Sequence, residues 1–263
     1  MTIRFGTDGW RAVISDTFTF ENVRLVSQAI ADYVRMGSDR ERPEVVVGFD
    51  TRFLSDRYAR EVARVMAGNG IVAHLTRSDA PTPAVSYAVV EKKAEAGVMI
   101  TASHNPPRYN GVKLKAAFGG SALPEQARQV EVQLERGQSE ARGPNLMDFE
   151  QALKLDLVRL FDPAWAYYQH LSTLLNLDLI SRAELRVVAD VHPLEIDAAQ
   201  PGVDFAGFPD GVVAQRAVEA VAGAVFRHVA GAFIQVPLAD QPLAHGRRVR
   251  RDGEDLRVVD LLQ

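Results

Sequence analysis

With 263 residues, 47% of them hydrophobic, the chain is long enough to bury a substantial core in one large or two modest domains. Its net charge of −4 argues against a nucleic-acid partner, and the absence of cysteine excludes disulfides and thiolate metal sites. No apolar run approaches the roughly 18 residues of a membrane span, and residues 1–6 lack the apolar segment of a signal peptide, so we expect no membrane partner and a cytoplasmic location.

Helix and strand signals alternate through the first hundred residues. Thr19 is a predicted helix cap and Gly37 a helix end, whereas the β-branched run at residues 44–50 is typical of a strand buried on both faces. The next predicted elements are a helix from the cap Ser55 to about Gly68, a strand at residues 71–75, a short helix from Ala84 and a strand after Gly97. This order predicts βαβ crossovers over a mostly parallel sheet, and ligands are expected beyond the carboxyl ends of its strands.

The stretch at residues 97–115 carries the candidate chemistry. A short apolar strand ends just before Ser103, and residues 105–107, Asn-Pro-Pro, cannot continue a β-ladder because two of them lack a backbone N–H. A stiff loop is therefore predicted to present Ser103 and His104. Asn110-Gly111 is a second turn signal, after which Lys113 is predicted to lie on one face of a short strand.

Asp50 is the last residue of the strand predicted at residues 44–50 and Arg52 follows it, at the edge where Ser103 is expected. Two interpretations are open. The pair takes part directly in the chemistry, or it forms a structural ion pair that braces a loop. The second interpretation is favoured.

Helix signals dominate further along the chain. Pro124 opens a predicted helix that ends at Gly137, residues 140–146 are a predicted linker, and Asp162-Pro163 restarts a second helical block. The predicted buried side of that block consists of Tyr167, Leu171, Leu174 and Leu175. Residues 185–190 are predicted to be a strand.

Two of these segments resemble a known family. Residues 101–107, Thr-Ala-Ser-His-Asn-Pro-Pro, followed by Tyr109-Asn110-Gly111-Val112-Lys113, look like the active-site serine loop of the α-D-phosphohexomutases, the phosphoglucomutase and phosphomannomutase superfamily. Residues 5–11, Phe-Gly-Thr-Asp-Gly-Trp-Arg, resemble the N-terminal signature of that family. The resemblance spans about residues 3–190, and none is expected beyond them.

The resemblance implies an α/β fold. Residues 1–140 would form a three-layer αβα domain with a mixed, mostly parallel sheet that carries the active-site serine. Residues 141–190 would supply linker helices and the start of a partial second α/β domain, and residues 191–263 would be a divergent tail.

The resemblance also implies a reaction, the interconversion of hexose 1-phosphate and hexose 6-phosphate. Ser103 would carry the transferred phosphate and bind Mg²⁺ through it, and the partners would be a hexose phosphate and a hexose 1,6-bisphosphate. Arg11 would stabilise phosphate charge and Lys113 would act as general base. His104 would either assist proton transfer or pack the loop. The substrate-binding residues would be Asn110 and Arg52; the sugar and the oligomeric state stay open.

Two other functions are weighed against this one. A serine hydrolase is disfavoured because Ser103 lacks a Gly-x-Ser-x-Gly elbow and an adjacent histidine points the wrong way to serve as its base. A catalytically incomplete remnant that binds a phosphorylated ligand or partner is the stronger alternative. It is favoured because the magnesium-binding loop of the family, Asp-Gly-Asp-x-Asp-Arg, does not occur in the sequence.

The composition changes after Asp190. Residues 191–263 contain no Ser, Thr, Asn, Lys, Tyr, Trp or Met, and all but six of them can be encoded by codons that begin with G or C. GC-rich DNA read in a displaced frame or on the opposite strand produces such a pattern. A helix at residues 214–229 and a basic patch at residues 247–251 are the elements the tail offers, but a solvated segment is expected.

Overall fold

The computed structural model describes residues 3–5, 9–182, 188–190, 233–237, 247–251 and 254–259. The chain divides into two compact units, with the boundary after Tyr167. Among the described residues, no helix is both long and apolar enough to cross a membrane.

A six-stranded sheet forms the centre of the first unit. Its strands are β1 (Trp10–Val13), β2 (Glu44–Phe49), β3 (Val72–Thr76), β4 (Ala96–Ile100), β5 (Tyr109–Ala116) and β6 (Val158–Phe161). They lie in the order β1-β5-β4-β2-β3-β6. The pairs β4-β2, β2-β3 and β3-β6 are parallel, whereas β5 is antiparallel to both β4 and β1. The predicted mixed, mostly parallel sheet is confirmed.

Helices cover both faces of this sheet. They are α1 (Phe20–Gly37), α2 (Ser55–Gly68), α3 (Thr82–Glu91), α4 (Pro124–Ser139) and α5 (Phe149–Lys154). Helix α6 (Ala164–Leu174) follows β6 in the chain and includes the boundary between the two units. Successive side chains of a strand point to opposite faces, so Val45 and Val47 pack in the core beneath α1, α2 and α4, whereas Val46 packs beneath α3. The three-layer αβα architecture follows from this burial on both faces.

Two local predictions are wrong near the loops. Helix α2 begins at Ser55, but its N-cap is Leu54, which has a left-handed φ of 63°, and the Ser55 hydroxyl bonds elsewhere. Asn110-Gly111 is not a turn; both residues lie inside β5. The reason is tertiary, because a Cβ at Gly111 would lie 2.6 Å from the carbonyl oxygen of Thr101 and 2.7 Å from that of Trp10. Glycine is needed there for close strand packing rather than for a turn.

The region predicted as a second helical block contains a strand. Strand β6 lies between α5 and α6 and pairs in parallel with the edge of β3. Its four residues are too few for hydrophobic periodicity to distinguish them from helix. The predicted buried side of α6 is also wrong: no residue of this helix is buried, and Leu174 is 66% exposed.

The predicted linker at residues 140–146 has no regular structure, as expected, but it is held to the first unit. The Asn145 backbone N–H donates to the side-chain oxygen of Gln28, and the Asn145 amide donates to Asn69. Arg142 pairs with Asp32 of α1. The segment therefore packs along α1 and α2.

The second unit contains α7 (Leu177–Arg182) and the strands β7 (Val188–Asp190), β8 (Phe233–Pro237), β9 (Arg247–Arg251) and β10 (Glu254–Val259). These strands pair antiparallel in the order β7-β8-β10-β9. Strand β7 falls within the strand predicted at residues 185–190, and the basic run forms β9. The predicted helix at residues 214–229 lies outside the described residues.

The substitution Gly111→Ala is expected to destabilise the first unit, because the new methyl group would meet the backbone of two neighbouring strands. Overpacking of this kind costs about 1–3 kcal/mol. The matched control is Gly37→Ala, since a Cβ at Gly37 would meet nothing within 4 Å beyond its chain neighbours and the backbone of its own helix, among the described residues. Urea denaturation measures both variants. Equal midpoints for Gly111→Ala and the unsubstituted chain would contradict the packing described for β1, β4 and β5.

Candidate functional site

The connection between β4 and β5 forms a short, internally bonded loop. The Thr101 N–H donates to the Gly111 carbonyl at 3.0 Å, which extends the strand pairing by one residue, and the Tyr109 N–H donates to the Pro106 carbonyl at 2.9 Å. Ser103 lies in this loop with a left-handed φ of 56°. That conformation costs a non-glycine residue about 1–2 kcal/mol, so its surroundings must hold it.

Ser103 and His104 are both exposed on the loop. The Ser103 N–H donates to the Thr101 hydroxyl at 2.9 Å, while its own hydroxyl oxygen lies 3.4 Å from Nδ1 of His104. The second distance is long for a hydrogen bond. Within the described part of the chain the Ser103 hydroxyl therefore has no tight hydrogen-bond partner, and both interpretations of His104 stay open.

Arg11 approaches the loop from strand β1. It pairs in register with Gly111, and its Nη1 donates to the Asn105 side-chain oxygen at 2.9 Å. The N-terminal signature matters for this approach because Gly9 has a φ of 104° and a Cβ there would lie 2.2 Å from the Val112 carbonyl oxygen. Only glycine fits such a position. Residues 6–8 of the signature lie outside the described residues.

Lys113 lies two residues beyond Gly111 in β5, opposite Met99 of β4. Alternation along the strand puts Lys113 and Lys115 on the same face as Gly111, and therefore on the face to which Arg11 belongs. Lys113 is only 8% exposed. Both residues occupy strands, as predicted for Lys113, and the register puts them on one face of the sheet.

Arg52 holds the serine loop from the other side. Its guanidinium donates to the carbonyl oxygens of Ser103 and Asn105, at 2.6 Å each, and of Pro106 and Tyr109, at 3.1 Å each. Its Nε lies 3.3 Å from the Asp50 carboxylate, so the favoured ion pair is present. A guanidinium has five N–H donors. The four Nη donors are used on these carbonyl groups and Nε faces the Asp50 carboxylate, so the geometry supports a bracing role over direct contact with substrate.

Asn110 belongs to a buried chain of hydrogen bonds. The Ser55 hydroxyl donates to Asp50 at 2.8 Å and accepts from the Asn110 amide at 2.9 Å, and the Asn110 side-chain oxygen accepts from the Gly111 N–H at 2.8 Å. Ser55 and Asn110 are both fully buried. The predicted substrate-binding residue Asn110 therefore ties β5 to the start of α2, away from the exposed surface of the loop.

Three residues of this site have roles that the sequence did not indicate: Thr101, Ser55 and Asn105. The sequence did contain a local signal for the hydrogen bond between Asp50 and Arg52. Asp50 accepts a hydrogen bond from the N–H of Arg52, two residues on, at 3.0 Å, which is the turn that aspartate commonly forms with its own backbone. The partners of Thr101 and Asn105 depend on the loop's final shape, which no local pattern specifies.

The described residues around Ser103 do not form a site for the predicted magnesium ion. Both Asp50 carboxylate oxygens contact Arg52, and one of them also contacts Ser55. No group of three or more His, Cys, Asp or Glu residues in the described part of the chain could hold a metal. Magnesium takes several oxygen ligands, and the cationic side chains of Arg11 and Lys113 cannot supply them. Mg²⁺ stays a prediction that needs other ligands.

The arrangement suits the handling of a phosphorylated ligand. It offers one exposed hydroxyl on a stiff loop, with fixed positive charge on the adjoining strands, and transfer of a phosphoryl group depends mainly on positioning and on stabilising charge. Comparison with known proteins points the same way. Residues 2–141 match the family model described as phosphoglucomutase/phosphomannomutase, alpha/beta/alpha domain I.

Similar proteins carry several mutase names. The phosphoglucomutase of Staphylococcus saprophyticus is 41% identical over 134 residues, 49% of this chain and 23% of that protein. The phosphoglucosamine mutase of Frankia alni is 36% identical over 210 residues, 77% of this chain and 44% of that protein. The crystal structure of a putative phosphomannomutase from Thermus thermophilus superposes with a TM-score of 0.57 at 36% identity, covering 69% of this chain and 38% of that one.

Two facts about coverage follow. The match to the Frankia protein takes in more of the chain than residues 3–190 contain, so the expectation that similarity stops at Asp190 is wrong. The chain spans less than half the length of each of these relatives. The match over residues 2–141 covers more than half of the chain, and the chain belongs to the phosphoglucomutase/phosphomannomutase family.

Proposed function

We propose that the chain takes part in phosphohexomutase chemistry, with Ser103 as the residue that carries phosphate. The supporting observation is the serine itself, exposed on a braced loop in a left-handed conformation. Arg11 contacts the same loop through Asn105. A strained residue held by its surroundings is a common feature of functional sites.

The proposed reaction moves a phosphoryl group twice. In the first transfer the bond between phosphorus and Ser103 Oγ breaks, and a bond forms from phosphorus to a hydroxyl oxygen of a hexose phosphate. The hydroxyl proton passes by way of Lys113 to the Ser103 Oγ that leaves, and the product is a hexose 1,6-bisphosphate. In the second transfer the Ser103 hydroxyl accepts the other phosphoryl group, and its proton passes by way of Lys113 to the sugar oxygen that this group leaves. Glucose, mannose and glucosamine phosphates are all compatible with the mutase names of the relatives.

Fixed cations supply the electrostatic part of this proposal. Arg11 carries a permanent charge and is held on β1, so it needs little reorganisation when phosphate charge develops. Magnesium would neutralise further charge in a longer assembly. No step is assigned to it here, because the described residues offer it no ligand set. The cytoplasmic location stays a prediction.

A second candidate function is a catalytically incomplete module that binds a phosphorylated ligand through the Ser103 loop. One observation favours it: the family's aspartate-rich loop does not occur in the sequence. This module would keep the loop and its cations but would not turn over substrate.

Ser103 is expected to become phosphorylated when the purified chain is incubated with glucose 1,6-bisphosphate. Peptide mass spectrometry should locate one added phosphate on Ser103, because this hydroxyl is exposed and lies on the loop that Arg11 contacts. Ser103→Ala should abolish the added mass. Ser172→Ala, at an exposed serine of α6 whose hydroxyl donates within its own helix, is the control. Phosphate retained after Ser103→Ala would refute the assignment.

Lys113→Met is expected to slow this transfer by about 10²-fold or more, since methionine keeps the length of the side chain and removes its ammonium group. Lys115→Met is the matched control, because Lys115 lies two residues along the same strand, on the same face, and is equally buried. The thermal midpoint is measured alongside the rate. A loss of rate that merely follows a loss of stability, in both variants alike, would argue for a structural lysine.

Turnover distinguishes the two candidate functions. The purified 263-residue chain is assayed for interconversion of glucose 1-phosphate and glucose 6-phosphate, with and without MgCl₂. Because the family's aspartate loop is missing, we expect little turnover even when Ser103 is phosphorylated. Robust, magnesium-dependent turnover would exclude the incomplete module and would require that other carboxylates of the chain replace the missing loop.

A further inference from the structure

The guanidinium of Arg52 contacts Asp50, in the loop after β2, and four carbonyl groups between Ser103 and Tyr109. We propose that Arg52 is a positioning residue for phosphate transfer: it holds Ser103 in the conformation that presents its hydroxyl, and it contacts no ligand itself. The inference rests on the proposed function, because it assigns Arg52 a part in that transfer.

The left-handed conformation of Ser103 is held at both ends of the residue. Its N–H donates to the Thr101 hydroxyl at 2.9 Å, and its carbonyl accepts from Arg52 at 2.6 Å. Without the second contact, the described residues would oppose relaxation to the commoner extended region with two local hydrogen bonds: the one from Ser103 to Thr101, and the one from the Asn105 N–H to the Ala102 carbonyl, 3.1 Å, which spans Ser103. An unfavourable backbone conformation persists only where the surrounding structure over-determines it.

The same contacts arrange the polar groups of the loop. Carbonyl oxygens repel phosphate, and four of them are directed toward the Arg52 guanidinium by its hydrogen bonds. In a trans peptide the N–H points opposite to the C=O, so the N–H of His104, which shares a peptide plane with the Ser103 carbonyl, turns away from Arg52. A loop released from Arg52 would be free to expose those oxygens beside the phosphorylated serine.

The position of Arg52 is itself fixed by buried groups. Its backbone N–H and the Ser55 hydroxyl both donate to one oxygen of Asp50, while its Nε faces the other oxygen. Ser55 is bonded in turn to Asn110 of β5. The position of the guanidinium relative to β5, the strand that follows the serine loop, is therefore fixed. Group transfer is sensitive to displacements of about 1 Å.

A lysine cannot replace this arrangement. Its three donors radiate from one nitrogen, whereas the four carbonyl oxygens and the carboxylate are spread around a planar fork. An arginine that bound the ligand directly would behave differently. Its loss would weaken affinity for the bisphosphate, and lysine would restore part of that affinity through its charge.

The test uses the full chain with Arg52→Lys and Arg52→Gln. Phosphate transfer from glucose 1,6-bisphosphate to Ser103 is followed by rapid quench and intact-mass spectrometry over a range of bisphosphate concentrations. Arg136→Lys is the matched control, because the Arg136 side chain is exposed and its partner Glu140 lies one turn away at the end of the same helix. The carbon-13 shifts of Ser103 Cα and Cβ, which report its φ, are recorded for each unphosphorylated variant.

Both Arg52 variants are expected to lower the saturating transfer rate about 10²-fold while the half-saturating concentration changes less than about threefold. Arg136→Lys should alter neither value. A raised half-saturating concentration with an unchanged saturating rate would overturn the inference in favour of a ligand-binding arginine, and so would unchanged rates. If the unsubstituted chain takes up no phosphate, the proposed function fails. The Ser103 shifts then decide whether Arg52 holds the serine: shifts unaltered by Arg52→Lys overturn that holding role, and shifts that move to extended values support it.

Discussion

One arginine side chain joins two loops that lie fifty residues apart in the sequence. The Arg52 guanidinium donates four hydrogen bonds to carbonyl groups of the serine loop and forms an ion pair with Asp50. Charge-assisted hydrogen bonds of this kind are stronger than neutral ones. The unusual backbone of Ser103, the inward turn of the loop carbonyls and the direction of the serine hydroxyl all depend on this interaction.

The cations of the site depend on a different constraint, the close packing of β1, β5 and β4. Glycines at positions 9 and 111 let these backbones approach where a Cβ would collide with a carbonyl oxygen. The register of β1 against β5 then puts Arg11 and Lys113 on one face, although they lie a hundred residues apart in the chain. The glycines that permit the strand packing therefore also determine where the positive charges of Arg11 and Lys113 lie.

The sequence predicted much of the first unit and little of its tertiary detail. Cap and periodicity signals located α1 from Thr19 to Gly37, and the β-branched run located β2, because both depend on local preferences. Strand β6 was not predicted because four residues are too few to show a hydrophobic periodicity. The turn predicted at Asn110-Gly111 was wrong because strand pairing overrides the turn preference of these two residues. Resemblance, not periodicity, singled out Ser103. The four hydrogen bonds from the Arg52 guanidinium could not be predicted, since they depend on carbonyl groups whose directions only the folded loop defines.

The central claim is that a braced, left-handed Ser103 carries the phosphate while Arg52 supports the loop from behind. A crystal structure of the chain after incubation with glucose 1,6-bisphosphate tests it most directly. The account predicts phosphate bonded to Ser103 Oγ, a positive φ at Ser103, and all four carbonyl contacts of Arg52 intact. A phosphate coordinated by the Arg52 guanidinium, with Ser103 in an extended conformation, would contradict it.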